Sequence, residues 1–297
     1  MNTPAFIQQL LAKGPVLTDG AWGTQLQARG LAPGEVPDLW NLTHPEKVAE
    51  VARAYVEAGA QVILTNTFGG NRFRLAEAGA ADKVKAINEA GARISREAAG
   101  SRAFVFASIG PSGKMLMTGD VTEDGLRAAF VEQAEALARG GANALVVETM
   151  ADLEEVKIAV AAAKTTGLPV VGSMVFDSGK DKDRTMMGTT PEQAAAGLVE
   201  AGADVVGSNC GQGIAGFVKI CARLKAAAAG RPVWIKANAG LPQMKDGKAS
   251  YDTTPQQFAD FVPVLLDAGA GFIGGCCGTS PDFIKALRLK LNAIPRA

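Results

Sequence analysis

Two adjacent cysteines, Cys276 and Cys277, follow a pair of glycines near the end of the chain, and a third, Cys210, stands just before another glycine. Thiolate sulfur is a preferred ligand of Zn²⁺, and a catalytic zinc site has three protein ligands and an exchangeable fourth position. The three cysteines therefore predict an open zinc site that activates a thiol substrate. Inert buried cysteines and a redox pair are the alternatives that the residues themselves leave open.

Two acidic residues, Asp19 and Glu148, each end a predicted strand. A carboxylate at such a position either faces the site formed by the strand ends or caps the next helix. Asp152 suits the capping role better, because Glu155 follows three residues later as in a capping box. Glu148 is therefore predicted to be free to bind a substrate amine.

Structural roles are predicted for the remaining cysteine and for the single histidine. Cys221 lies in the middle of an apolar helical run and is predicted to be a core residue. The presence of only one histidine, His44, excludes any metal site built from several histidines. Its context, Thr43-His44-Pro45-Glu46, has the spacing of a capping box and predicts a helix start.

A repeated pattern predicts the elements that position these residues. A helical stretch ends in Ala-Gly-Ala or Gly-Gly-Ala and an apolar strand follows, so each instance indicates half of a βαβ unit. Strands are predicted at residues 15–20, 61–66, 103–109, 143–149, 169–175, 204–209, 232–237 and 271–276. Helices are predicted at residues 45–58, 82–99, 123–139, 152–166, 191–201, 214–229 and 255–268.

Strands that alternate with helices predict a parallel sheet, and eight such units favour a closed (β/α)8 TIM barrel over an open doubly wound sheet. The candidate cysteines then end the sixth and the eighth strand, and the two carboxylates end the first and the fourth. Active sites of such barrels lie at the carboxyl ends of the strands, where all of these residues are predicted to meet. Long loops are predicted at the same rim, at residues 110–124, 177–190 and 238–254.

Composition restricts the classes of partner and the number of domains. The 297 residues are predicted to form a single domain, residues 1–297, with residues 1–14 as a lead-in helix. Lys and Arg total 30, as do Asp and Glu, so no nucleic-acid or anionic membrane surface is predicted. No membrane-spanning segment is predicted either. Four cysteines in a chain of this size argue against a disulfide-built secreted fold and favour a cytoplasmic location.

A set of motifs resembles the homocysteine S-methyltransferase family, and most closely the homocysteine-binding barrel of cobalamin-dependent methionine synthase. The resemblance extends from about residue 15 to about residue 290. The motifs that carry it are, in chain order, Asp19–Thr24, Asn41–Glu46, Thr65–Gly69, Ser108–Pro111, Glu148–Met150, Asn209–Gly211, Ala237–Pro242 and Gly274–Thr279.

This resemblance implies a metal site and a substrate site. The zinc ligands that it implies are Cys210, Cys276, Cys277 and, as a candidate for the fourth position when substrate is absent, Asn238. The homocysteine-binding residues that it implies are Asp19, Gly20, Thr67 and Glu148. The two carboxylates among them would lie near the amino group of the substrate.

Two positions depart from the family. Trp22 stands where methionine synthases usually have methionine, and Thr149 stands where betaine-using relatives are expected to have an aromatic residue. Aromatic cages bind quaternary ammonium ions, so betaine is disfavoured as the methyl donor.

The predicted function is zinc-dependent transfer of a methyl group to homocysteine, which forms methionine. The predicted donor is a methyl-corrinoid protein, or methylfolate acting through separate corrinoid and folate partners. S-methylmethionine and S-adenosylmethionine are the small-molecule alternatives. Another acceptor thiol, and a non-catalytic zinc-binding or redox-sensing barrel, are the other hypotheses. The oligomeric state is not predicted.

Overall fold

Eight parallel strands form a nearly closed barrel in the computed structural model, which describes residues 3–241, 243–245 and 248–294. The described strands are β1 (Val16–Leu17), β2 (Val62–Ile63), β3 (Phe104–Ile109), β4 (Ala144–Met150), β5 (Val170–Met174), β6 (Val205–Gly213), β7 (Val233–Asn238), β8 (Gln243–Lys245), β9 (Lys248–Ser250) and β10 (Ala270–Gly275). The barrel order is β1-β10-β7-β6-β5-β4-β3-β2, and a parallel bridge between Thr18 and Val62 links its two ends. The predicted (β/α)8 TIM barrel is confirmed.

Helices connect successive strands of the barrel and cover its outer surface. The described α-helices are α1 (Ala5–Leu11), α2 (Gly23–Gln27), α3 (Trp40–Thr43), α4 (Pro45–Glu57), α5 (Arg72–Glu77), α6 (Val84–Ala99), α7 (Glu123–Arg139), α8 (Leu153–Lys164), α9 (Pro191–Glu200), α10 (Ile214–Ala227), α11 (Pro255–Ala259), α12 (Val262–Asp267) and α13 (Pro281–Ala293). Short 3₁₀ helices are found at Pro37–Leu39, Ala81–Lys83 and Leu116–Thr118. Within the described residues, no helix has the length and apolar content that a membrane crossing requires.

Some predicted segments differ from the observed elements. The strands predicted at 15–20 and 61–66 are observed only at Val16–Leu17 and Val62–Ile63. The helix predicted at 255–268 is split into α11 and α12. Pro263, the second residue of α12, has no backbone N–H to donate, and its ring conflicts with the carbonyl four residues earlier, so a continuous helix cannot pass through this point. The loop predicted at 238–254 contains the antiparallel pair of β8 and β9. Pro242, the last residue of one resemblance motif, lies outside the described residues.

The starts of four helices show which side chains cap the helix N-terminus. Thr190 and Thr254 each form a capping box with the glutamine three residues later. Asp152 caps α8 as predicted, by accepting a hydrogen bond from the Glu154 backbone N–H at 2.9 Å. The predicted capping box at Thr43 is wrong: α4 does begin after His44, but the Thr43 hydroxyl donates to the Leu39 carbonyl in the preceding turn.

Aromatic side chains fill the barrel interior at the amino ends of the strands. The indole of Trp234 stacks on Phe106, with ring centroids 6.0 Å apart, and lies 5.4 Å from the ring of Phe272. Helix α1 covers this end, since Phe6 packs against the cluster and Ile7 is buried within it. The lead-in helix predicted at 1–14 is thus observed at Ala5–Leu11 and closes the floor of the barrel, so the space for a site is at the opposite end.

Candidate active site at the carboxyl ends of the strands

The three candidate cysteines lie together at the barrel mouth. Cys210 is near the end of β6, and Cys276 and Cys277 directly follow β10. Their sulfur atoms lie within 4.8 Å of one another, and the Sγ atoms of Cys210 and Cys277 are 3.8 Å apart. Thiolates bound at about 2.3 Å in a tetrahedral zinc site lie about 3.8 Å from one another. The fold therefore brings the three sulfurs to a spacing that suits one metal ion.

The proximity of the three thiols makes their ionisation interdependent. The pKa of Cys210 is lowered because the thiols of Cys276 and Cys277 donate hydrogen bonds to its sulfur. The pKa of Cys276 and that of Cys277 are raised for the same reason, since each gives its proton to Cys210. One thiolate is thus stabilised at the expense of the other two. A cation at this point would be needed for all three to be thiolates at neutral pH.

Asn238, at the end of β7, lies beside the thiols. Its amide hydrogen-bonds to Cys210 and helps to lower the pKa of that cysteine. The side chain is buried, and its Oδ1 atom has no hydrogen-bond partner among the residues described. A buried amide oxygen without a partner is costly, and a metal ion or a substrate donor would satisfy it. This observation fits Asn238 as a fourth ligand, although that role stays a prediction.

Backbone strain is concentrated at the same rim. Cys210 and Thr149 both have positive φ, 64° and 60°, a conformation that costs a non-glycine residue about 1–3 kcal/mol. Asn209 stabilises the strand irregularity at Thr149, because its Oδ1 accepts from the Thr149 backbone N–H at 2.9 Å and its Nδ2 donates to the Thr149 hydroxyl at 2.6 Å. The side chain of Thr149, flagged as a departure from betaine-using relatives, is thus used to orient Asn209.

Glu148 is buried on the same side of the barrel. Its Oε1 accepts a hydrogen bond from the Ser108 hydroxyl, and its Oε2 accepts from Asn209 Nδ2 at 3.4 Å. Burial raises the pKa of Glu148 to about 7, against the lowering effect of the Lys236 ammonium. A carboxylate held in this way can bind a cationic group that enters the mouth.

Asp19, the other predicted carboxylate, is fully buried and already has several partners. Its Oδ2 accepts from the indole N–H of Trp22 and from the Leu64 backbone N–H, both at 2.7 Å. Its Oδ1 forms an ion pair with the ammonium of Lys236. Trp22, the residue that departs from the family, therefore holds Asp19 in place.

Lys236 and Tyr251 are site residues that the sequence did not single out. Lys236 lies in β7 between Ile235 and Ala237 and is only 1% exposed. The sequence does contain a signal for it: a lysine between apolar residues of a buried strand, two residues from the interior Trp234. Tyr251 packs on Gly278, where an added Cβ would lie 2.3 Å from the tyrosine ring.

Tyr251 is close enough to the thiols to be affected by their charge. Its pKa is raised to about 12, first by burial and then by the negative charge of the three cysteines. The loop that contains it follows β9 and so contributes an aromatic wall to the site.

The two remaining predicted substrate residues have different surroundings. Gly20 is in a crowded turn: an added Cβ would lie 2.7 Å from the Thr279 hydroxyl and 2.8 Å from the Tyr55 hydroxyl. Thr67 is buried, and its hydroxyl donates to the Ser108 carbonyl at 2.7 Å. Its methyl group is directed towards Gly91 of α6, where an added Cβ would lie 2.5 Å away. Substrate contacts by Gly20 and Thr67 stay predictions.

Cys221 lies away from this site. It is buried in α10, and its sulfur is 3.5 Å from the Ala268 carbonyl oxygen. Burial raises the pKa of its thiol to about 12, so it stays protonated at neutral pH. The predicted core role is confirmed.

Comparisons with a family model and with curated proteins agree on one family. Residues 16–291 match the family model described as homocysteine S-methyltransferase. Methionine synthase of Mycobacterium leprae is 31% identical over 93% of this chain, and that of Mycobacterium tuberculosis is 30% identical over 97% of it. The chain spans about a quarter of the length of these two relatives, 24% and 25%.

A solved structure is similar along almost its whole length. The metallated form of the homocysteine methyltransferase MmuM from Escherichia coli matches with a TM-score of 0.78 and 26% identity. The match covers 96% of this chain and 99% of that one.

Proposed function

Because the chain belongs to the homocysteine S-methyltransferase family, we propose that it is a zinc-dependent enzyme that methylates the thiol of homocysteine and forms methionine. The observation that carries the proposal is the cluster of three sulfurs within 4.8 Å of one another, at the same barrel mouth as Glu148. A thiol acceptor with an amino group would find a metal site for its sulfur and a carboxylate for its ammonium.

The metal site would be formed by this chain's own sulfur atoms. Cys210, Cys276 and Cys277 would hold the zinc ion, with Asn238 beside them for the fourth position. When bound, zinc would lower the pKa of the acceptor thiol, so that its thiolate is available at neutral pH.

The protein's remaining task is to position the acceptor. Glu148 would accept hydrogen bonds from the substrate ammonium, and Ser108 and Asn209 keep the Glu148 carboxylate in one orientation. In the reaction, the sulfur forms a bond to the methyl carbon while the bond from that carbon to the donor breaks, and the donor keeps the electron pair. When the sulfur and the amino group of the acceptor are both held in place, less entropy is lost as the acceptor and the donor come together.

The donor would approach from outside the thiol cluster. A cleft of about 860 Å³ is lined by Gly211, next to Cys210, and by Leu241 and Phe261. A methyl-corrinoid protein, or methylfolate with separate corrinoid and folate partners, is the donor system we propose first, because of the likeness to methionine synthases. S-methylmethionine or S-adenosylmethionine is the alternative, which the likeness to the E. coli homocysteine methyltransferase supports.

We further propose that residues 1–297 act as a single domain and that the enzyme is cytoplasmic, which suits four free cysteines.

The test combines zinc content with a donor panel. Wild type is expected to bind about one zinc ion per chain and to form methionine from homocysteine with at least one donor. Cys276→Ser is expected to lose most of both, whereas Cys221→Ser, a cysteine outside the cluster, should keep both. Full zinc content and full methylation in Cys276→Ser would refute the metal site. Methylation of a different thiol only would refute homocysteine as the acceptor.

A further inference from the structure

Lys236 introduces a buried positive charge into the predicted amine site. It is 1% exposed, and its ammonium pairs with Asp19, which is itself fully buried. In the β6–β7 register Lys236 is paired with Asn209, whose side chain reaches Glu148 at 3.4 Å. The lysine thus pairs with one of the two carboxylates that were expected to hold one substrate ammonium together, and it is close enough to the other, Glu148, to lower its pKa.

The hydrogen-bonding capacity of Asp19 is largely taken up. A carboxylate has about four acceptor positions on its two oxygens. The indole of Trp22 and the backbone N–H of Leu64 use Oδ2, and Lys236 uses Oδ1. A substrate ammonium at Asp19 would have to displace Lys236 or lie next to a like charge in a buried site, and both are unfavourable.

We propose that Lys236 is a specificity-determining residue that fills the Asp19 half of the amine site with the protein's own ammonium. Glu148 is then the carboxylate that binds the acceptor's amino group, and Asp19 and Trp22 act as positioning residues for Lys236. This inference rests on the proposed function. It implies that the enzyme accepts thiols without an α-amino group more readily than a site with two free carboxylates would.

The test measures thiol binding and needs no methyl donor. Homocysteine and 4-mercaptobutanoate, which lacks the amino group, are titrated calorimetrically into zinc-reconstituted wild-type protein. One charge-assisted contact predicts a Kd ratio of about 10–100 in favour of homocysteine, and two such contacts predict a ratio of about 100–10,000. A ratio above about 1000 would therefore overturn the proposal without any variant.

Variants then assign the effect to Lys236. Lys236→Met frees Asp19 and is expected to raise the Kd ratio about 10–100-fold. The double variant Asp19→Asn with Lys236→Met removes both members of the buried ion pair and is expected to return to the wild-type ratio. An unchanged or lower ratio in Lys236→Met, in protein that keeps its zinc and its cooperative melting, contradicts the proposal.

Failure of the proposed function would be recognised separately. In that case neither thiol binds to the zinc-loaded wild type, whereas failure of this inference alone leaves both thiols binding with a ratio that does not depend on Lys236.

Discussion

At the scale of single residues, Asn209 connects the acidic and the sulfur parts of the site. Its amide oxygen accepts from the Ser173 hydroxyl at 2.7 Å as well as from the Thr149 backbone. Its amide nitrogen lies 3.4 Å from Glu148 and 3.9 Å from the sulfur of Cys276. One fully buried side chain thus holds both Glu148 and the strained backbone at Thr149 in place.

Glu148 gives a pH-dependent prediction at this scale. Since burial raises its pKa to about 7, the carboxyl is protonated below that pH and ionised above it. An ammonium binds the ionised form, so the contribution of Glu148 to homocysteine affinity should rise as pH increases from about 6 to about 8. Glu148→Gln should weaken binding about 10–100-fold at pH 8 and much less at pH 6.

Calorimetric titration of wild type and Glu148→Gln over this pH range measures the difference. The comparison removes the pH dependence of the substrate thiol, which the two proteins share. An equal loss of affinity at every pH would show that the charge of Glu148 is not what the substrate recognises.

The cysteines and Glu148 were predictable from the sequence because their residue types and strand-end positions restrict what they can do. Lys236 was not predicted, because the side-chain direction of a residue in a buried strand, and its partner 217 positions away, depend on the closed barrel. Tyr251 was missed for the same reason, since it reaches the thiols through a loop whose path the sequence does not reveal. Asn209 stands in a predicted motif, but its hydrogen bonds require the neighbouring strands.

At the scale of elements, the turn after β2 is tied to the 3₁₀ helix Pro37–Leu39 by a buried acid. Asp38 Oδ1 accepts from the Gly69 backbone N–H at 3.0 Å, and an added Cβ at Gly69 would lie 2.8 Å from the other carboxylate oxygen. Burial raises the pKa of Asp38 to about 7. The folded protein therefore binds this proton more tightly than the unfolded chain does.

The raised pKa predicts the sign of an amide substitution. In the unfolded chain Asp38 ionises near pH 4, so its burial makes folding less favourable as pH rises from about 4 to about 7. Asp38→Asn keeps an acceptor for Gly69 and removes that cost. We expect it to raise the free energy of unfolding by about 2–4 kcal/mol at pH 8 and to change it little at pH 4.

Urea unfolding of both proteins at the two pH values measures this difference. A variant that is less stable than wild type at pH 8 would show that the ionised carboxylate is stabilising, opposite to the direction stated here.

Elements were predictable where periodicity and end signals agree. Residues 123–139 are helical as predicted, since Thr122 caps the first turn and one face of the helix is buried. Short helices such as Trp40–Thr43 escaped prediction, because four residues carry too little periodicity to distinguish them from a turn. The break before Val262 could have been predicted from Pro263, which cannot lie inside a continuous helix.

At the scale of the whole molecule, the two ends of the barrel have separate tasks. The aromatic cluster and α1 close the amino end, and the thiols and carboxylates occupy the carboxyl end. Barrels of this kind tolerate changes of function at one end because the other end supplies stability.

The separation predicts that a floor substitution changes stability and leaves binding intact. Ile7 is fully buried in the interior cluster, so Ile7→Ala should lower the free energy of unfolding by about 2–5 kcal/mol, and Ile7→Val by about 0.5–1.5 kcal/mol. Zinc stoichiometry and thiol affinity, measured well below the melting temperature, should equal those of wild type. Loss of zinc from folded Ile7→Ala would show that the two ends are coupled.

The filled floor also has a kinetic consequence. With Phe106, Trp234 and Phe272 packed across the amino end, the proposed acceptor and donor would share the mouth as their route of entry. Glu148, beside which the acceptor is proposed to bind, is buried, whereas Gly211 lines the surface cleft. In the proposed reaction, the acceptor would therefore enter first and the donor would dock over it. The spent donor would then depart before methionine, so we expect methionine to compete with homocysteine in initial-rate experiments but not with the donor.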